Sequence, residues 1–217
     1  MAYDLEEQEQ LATLKAIWKQ YGNLFSWAVI ILLGTYAAWV QWGNYQSNQS
    51  GQASQLYDEV QKSIATKDNA KVQRASADLK EKFAGTAYAS MAALAAAKSA
   101  FDAGDLKAAK AQLQWIVNTS KNDDYKALAK IRLAGILLDE KTYDEALAQL
   151  AGDFPVELQS EVADRKGDVY VAMVKLDDAR KSYQLALDKM TEKSPGRELV
   201  QIKLDAIGGA NASPISK

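Results

Sequence analysis

Residues 167–187 read GDVYVAMVKLDDARKSYQLAL, and this stretch decides the fold. Gly167 and Tyr170 fall on one helical face. Ala179, Tyr183, Ala186 and Leu187 fall on one face of a second helix, with Lys175-Leu176-Asp177-Asp178 turning the chain between them. A small residue at 167 is expected to let the two helices approach closely, with Tyr170 filling the gap beneath and Ala179 where the two helices nearly touch. The same pattern recurs upstream. Gly104-Asp105-Leu106-Lys107-Ala108-Ala109 precedes Leu113, Ile116 and Val117, and Thr142-Tyr143-Asp144-Glu145-Ala146 precedes Leu150. Ala109, Ala146 and Ala179 are separated by 37 and 33 positions, and a weaker copy places Ala75 before Leu79 and Phe83, 34 residues ahead of Ala109. The copies vary: Ala97 and Ala134 stand where the last unit has Gly167, and Leu113 and Leu150 stand in place of its helix-B aromatic.

A helix-turn-helix unit of about 34 residues with small residues at the crossing points resembles the tetratricopeptide repeat. The resemblance implies an all-α solenoid of about four repeats; an ordinary helical bundle is the alternative. Ser194-Pro195 breaks the preceding helix, and the segment from Arg197 to Ile207 supplies the apolar residues of a capping helix. Residues 208–217, GGANASPISK, read as a disordered tail. Repeats of this type bind partners along the wall formed by their A helices. The repeat register places Met91, Leu94, Lys98 and Phe101 on that wall in the second unit, and Leu128, Ile131 and Leu138 in the third. Glu161, Asp164, Asp168 and Val171 follow in the fourth. The expected groove is thus apolar at its centre and acidic at its end, suited to a helix or an unfolded segment. The competing reading makes the apolar members core residues.

Ahead of the repeats, residues 20–57 contain no Asp, Glu, Lys or Arg. Within them, residues 24–42 read LFSWAVIILLGTYAAWVQW, long enough as a helix to cross a hydrocarbon core of about 30 Å. Tyr21, Phe25 and Trp27 mark one end and Tyr36, Trp39, Trp42 and Tyr45 the other, as interfacial aromatics do. Acidic residues before the run and bulky Trp39 and Trp42 at its close argue against a cleaved signal peptide. Lys15 and Lys19 precede the span, whereas the first basic residue after it is Lys62. The N-terminus is therefore expected in the cytoplasm and the large domain outside. Leu5, Leu11, Leu14, Ile17 and Trp18 suggest an interfacial helix leading into the bilayer. The resulting layout is a cytoplasmic segment over 1–22, a transmembrane helix over 23–43, a repeat domain over 44–207 and the tail.

Composition narrows the chemistry. The chain has 217 residues, room for one span and one modest domain. It has neither Cys nor His, so thiolate nucleophiles, imidazole bases, Ser/His/Asp triads and the usual zinc ligand sets are excluded. No phosphate-cradling glycine loop or calcium loop is present. A net charge of −2 offers no field for nucleic acid. The carboxylate pairs Asp123-Asp124, Asp139-Glu140 and Asp177-Asp178 fall at expected turns or helix starts and read as solvated caps. A non-enzymatic protein without a cofactor or metal is expected.

The opening Tyr3-Asp4-Leu5-Glu6-Glu7-Gln8-Glu9-Gln10-Leu11, the Trp-flanked span and the Gly167-Asp168-Val169-Tyr170 repeat together resemble the YfgM family, ancillary subunits of the bacterial SecYEG translocon. The resemblance covers nearly the whole chain. It implies a single-pass protein of a bacterial inner membrane with its repeat domain in the periplasm. It also implies association with SecYEG and with the membrane-anchored chaperone PpiD, assisting secreted chains on their way to periplasmic chaperones. No catalytic residues accompany it. The alternative function is an inner-membrane scaffold that assembles envelope machinery through the repeats.

Overall fold

A computed structural model describes residues 2–209, with the side chains of residues 2–6 and 8 left aside. Residues 210–217, most of the expected tail, lie outside the described part. The first helix, α1, runs Ala2–Ala65. The chain divides into two compact units, Met1–Gln49 and Ser50–Lys217.

In the first unit, α1 carries the one described segment long and apolar enough to cross a membrane. Its large side chains, among them Leu24, Leu32 and Trp39, are exposed. In hydrocarbon a polar group must find its partner on its own helix. Ser26 accordingly donates to the Gly22 carbonyl and Thr35 to that of Ile31, both at 2.8 Å. Trp18 lies over Gly22, where a Cβ would come within 3.1 Å of the indole. Trp18 and Phe25, and Trp42 and Tyr45, form tilted ring pairs near the two ends of the apolar run.

In the second unit, residues 50–65 of α1 form helix A of the first repeat. The helices that follow are α2 (Asn69–Phe83), α3 (Ala87–Asp102), α4 (Leu106–Thr119), α5 (Asp123–Asp139), α6 (Tyr143–Gln149), α7 (Gln159–Ala172), α8 (Leu176–Lys189) and α9 (Arg197–Ala206). From α2 to α6 each packs on the next, as do α6 with α7, α7 with α8 and α8 with α9; α3 with α5 and α5 with α7 pack as successive A helices. Short side chains start several helices: Asp68, Thr86, Asp105 and Asn122 each accept a hydrogen bond from a backbone N–H three residues on.

Each A helix ends in the same turn. Lys67, Gly104, Lys141 and Val174 adopt left-handed backbone conformations, spaced by 37, 37 and 33 residues. At each, the N–H bonds three residues back, and that of the next residue bonds five back. This paired bonding satisfies the last carbonyls of the helix. Only one of the four positions is glycine. Val174 is β-branched and 78% exposed, so it bears the cost of a left-handed backbone without contributing packing. Val174→Gly is expected to raise stability by about 1 kcal/mol and the melting temperature by about 3 °C. Thermal unfolding of the two chains checks this; an unchanged or lower midpoint contradicts it.

These turns also correct the first repeat. Four residues after each helix-B cap stand Val72, Ala109, Ala146 and Ala179, so Val72 rather than Ala75 is the counterpart of the alanines. Four positions further stand Ser76, Leu113, Leu150 and Tyr183, all buried. Ser76 places a hydroxyl with no partner where the other repeats place a large side chain.

The core forms three clusters. Val60, Val72, Leu79 and Ala92 belong to the first, and Leu113, Ile116, Ile131 and Leu150 to the central one. Tyr183, Leu187, Val200 and Leu204 belong to the third, which seats the capping helix α9. Helix α6 has only 7 residues against 14 for α4 and α8. Gly152 turns left-handed just after it, and Phe154 and Leu158 of the following loop pack against the central cluster instead.

Candidate functional site: a polarised cleft along the A helices

A cleft of about 400 Å³ opens on the A-helix side. Ala97, Lys98, Phe101 and Asp102 of α3 line it with Arg132, Gly135, Ile136 and Asp139 of α5, Arg165 of α7, and Leu113 beneath. Of the seven groove residues expected from sequence, Lys98 and Phe101 are brought together here, and Phe101 is 44% exposed. The others are not. Leu94 and Ile131 are buried in the central core, and Leu128 and Leu138 are half-buried against it. Met91 is half-buried outside the cleft.

The cause is a rotation of about one residue, or 100° around the helix. Counted back from the turn at Lys141, Leu128 and Ile131 (thirteen and ten residues earlier) pack on the core, whereas Arg132, Gly135 and Asp139 (nine, six and two residues earlier) line the cleft. The central wall is therefore charged rather than apolar. Arg132 had a legible signal. It is the lone charge in Ile131-Arg132-Leu133-Ala134-Gly135-Ile136, and a helix with one buried face must turn such a residue outward.

Charges at the two ends of the cleft differ. Lys98 pairs with Asp102 at 2.7 Å. Arg132 has no hydrogen bond or ion pair among the described residues, and burial pulls its guanidinium below the usual arginine range. Arg165 uses Nη1 on Asp168 at 3.3 Å, while its Nε is buried without a partner. The Arg165 guanidinium lies beside Gly135, where a Cβ would be in ordinary contact with it at 3.7 Å.

The acidic wall expected in the last repeat is not open either. Lys203, reaching in from α9, bonds Asp164 at 2.8 Å and Asp168 at 2.8 Å. The Tyr183 hydroxyl donates to Asp168 at 2.9 Å. Burial raises the Asp164 carboxyl above the usual carboxylate range, against the pull of Lys203. Desolvation and the neighbouring Asp168 hold the Tyr183 phenol protonated well past its usual range. Glu161 remains exposed, and Val171 packs against the third cluster. The acids thus form an internal ion cluster that clamps the capping helix.

Among the described residues no group of acidic side chains is arranged to hold a metal ion. Of the carboxylate pairs, Asp123-Asp124 and Asp177-Asp178 open α5 and α8, and Glu140 at the end of α5 accepts from Lys110 at 2.6 Å. The caps themselves are Asn122 and Lys175, so these acids act as first-turn charges on the helix dipole, and Glu140 as a cross-helix link, rather than as the expected caps.

A family model described as a tetratricopeptide repeat-like domain matches residues 15–209. The ancillary SecYEG translocon subunit of Neisseria gonorrhoeae is 36% identical over 211 residues, covering 95% of this chain and all of the relative. That of Haemophilus influenzae is 30% identical, covering 86% of this chain and 91% of the relative. The chain belongs to the family of ancillary SecYEG translocon subunits. The Escherichia coli member is 24% identical over 92% of this chain and 95% of its own length. No solved structure matches. The family match begins ahead of the apolar run and ends past α9, so it takes in the apolar segment, the repeats and the capping helix. Translocon-subunit relatives and the apolar N-terminal helix together mark the chain as membrane-anchored.

Proposed function

We propose that this ancillary subunit works at the SecYEG translocon as a non-catalytic adaptor. In this reading α1 anchors it in the inner membrane with the N-terminus in the cytoplasm. The repeats stand in the periplasm, associate with the membrane-anchored chaperone PpiD and receive secreted chains as they emerge. The observation that carries the reading is a repeat wall with an open cleft, joined to an apolar membrane helix in a chain 36% identical to a translocon subunit over that relative's whole length. Tethering supports it, since a domain held beside an exit pore meets emerging chains at high effective concentration and needs only weak contacts. Lys98 and Phe101 are the members of the expected groove best placed for such contacts.

Photo-crosslinking in exporting membranes tests this. A reactive residue at position 101 is expected to give adducts with emerging chains, and one at exposed position 114 on α4 is not. Copurification in mild detergent is expected to bring SecYEG and PpiD. Adducts from position 101 only to folded membrane proteins would favour the scaffold reading and overturn the client-binding one.

A further inference from the structure

We infer that the A-helix cleft recognises polypeptide through a carboxylate: an acidic side chain of the bound segment seats on Arg132 and Arg165 while an adjoining apolar side chain lies against Phe101. The inference rests on the reading that this wall holds polypeptide, and adds what the wall selects.

Two guanidiniums from successive repeats occupy the same position, nine residues before the turns at Lys141 and Val174. Both retain unused donors. Arg132 is without any partner among the described residues, and the Arg165 Nε is buried and unpaired. A bound neutral or basic segment would cover these groups without satisfying them, and a buried unpaired cation is costly. A carboxylate satisfies both, because it accepts two parallel N–H bonds from a guanidinium fork. Asp168 already occupies Nη1 of Arg165 and its Nε is enclosed, which leaves Nη2 and Arg132 for the ligand.

The opposite end of the cleft is acidic. Asp102 and Asp139 both stand two residues before their turns, seven positions beyond the arginine level, or about 10 Å along the helix. Asp102 is paired with Lys98, while Asp139 has no ion pair among the described residues. Between the ends lie Ala97, Phe101 and Ile136. This order of charges favours a segment with one acidic residue next to an apolar one, and disfavours an acidic run, whose further carboxylates would meet Asp139. A cleft of about 400 Å³ admits a few side chains of an extended segment rather than a folded surface.

The test uses the full chain in detergent and a labelled ten-residue peptide, blocked at both ends, with one Glu beside a Phe. Its partner peptide carries Gln in place of Glu. The Glu peptide is expected to bind about tenfold tighter. Arg132→Gln is expected to abolish that preference, bringing the Glu and Gln peptides to equal affinity. Arg132→Lys is expected to restore only part of it, and Lys181→Gln on the far side of α8 to leave it intact. Equal binding of the two peptides overturns the inference. So does a preference that survives Arg132→Gln, or that is lost equally on Lys181→Gln. A preference that requires an unblocked C-terminus also overturns it. Adducts from position 101 combined with no Glu preference would keep the polypeptide-binding reading and overturn only this inference.

Discussion

Gly167→Ala is expected to destabilise the repeat domain by about 3 kcal/mol, the upper range for overpacking a filled core. A Cβ at position 167 would overlap the ring edge of Tyr183. That ring cannot swing away cheaply, because Tyr183 is buried, its hydroxyl is bonded to Asp168, and Lys203 lies 5.7 Å over its face. The second and third repeats show how the clash is avoided elsewhere. There the same two positions carry Ala97 with Leu113 and Ala134 with Leu150. Gly–Tyr and Ala–Leu are thus alternative ways to fill one crossing. Tyr183→Leu alone leaves a gap beside Gly167 and removes a donor from Asp168. The double variant Gly167→Ala, Tyr183→Leu is expected to be more stable than Gly167→Ala alone. Urea unfolding of the four chains in a double-mutant cycle measures the coupling. Strict additivity would show that the two residues do not share the crossing.

Lys203→Met ranks second, with an expected loss of about 2 kcal/mol at neutral pH, below the range for fully buried pairs because the site is partly hydrated. Methionine keeps the apolar stem, so the loss isolates the charge. Asp164 and Asp168 would then face each other with Arg165 as their remaining described cation. The pH dependence follows from Asp164. Its folded value lies above the ordinary carboxylate value, so the folded state binds the proton more readily. Stability at this site is therefore greatest at low pH and is lost as pH rises from the ordinary carboxylate value through the raised one. Removing Lys203 takes away a lowering influence and raises the Asp164 value further. The gap between wild type and Lys203→Met should accordingly narrow as pH falls toward about 4. A gap that stays constant with pH would assign the loss to packing of α9.

Particular residues show how far sequence reaches in this chain. The small residues Ala97, Ala134 and Gly167 and the alanines 109, 146 and 179 announce the helix crossings, because a close approach excludes large side chains wherever it occurs. The first repeat is harder to read. Its helix A is the end of α1, with Val60 at the crossing, and Ser76 replaces a large core residue. Three of the four left-handed turns carry lysine or valine, so no glycine marks them. The last expected segment, the tail, falls largely outside the described residues.

The anchor, the helical class and the repeat follow from the sequence alone, since uncharged length and apolar periodicity are local properties of the chain. Which flank of each A helix became wall was decided by tertiary packing. In Leu128-Ala129-Lys130-Ile131-Arg132-Leu133 apolar residues occur on nearly every side, so a turn of one residue exchanges core for cleft. The fate of Asp164 and Asp168 was likewise tertiary. Their partner Lys203 comes from a helix more than 30 residues later, and only the docking of α9 turns an apparent acidic wall into a clamp.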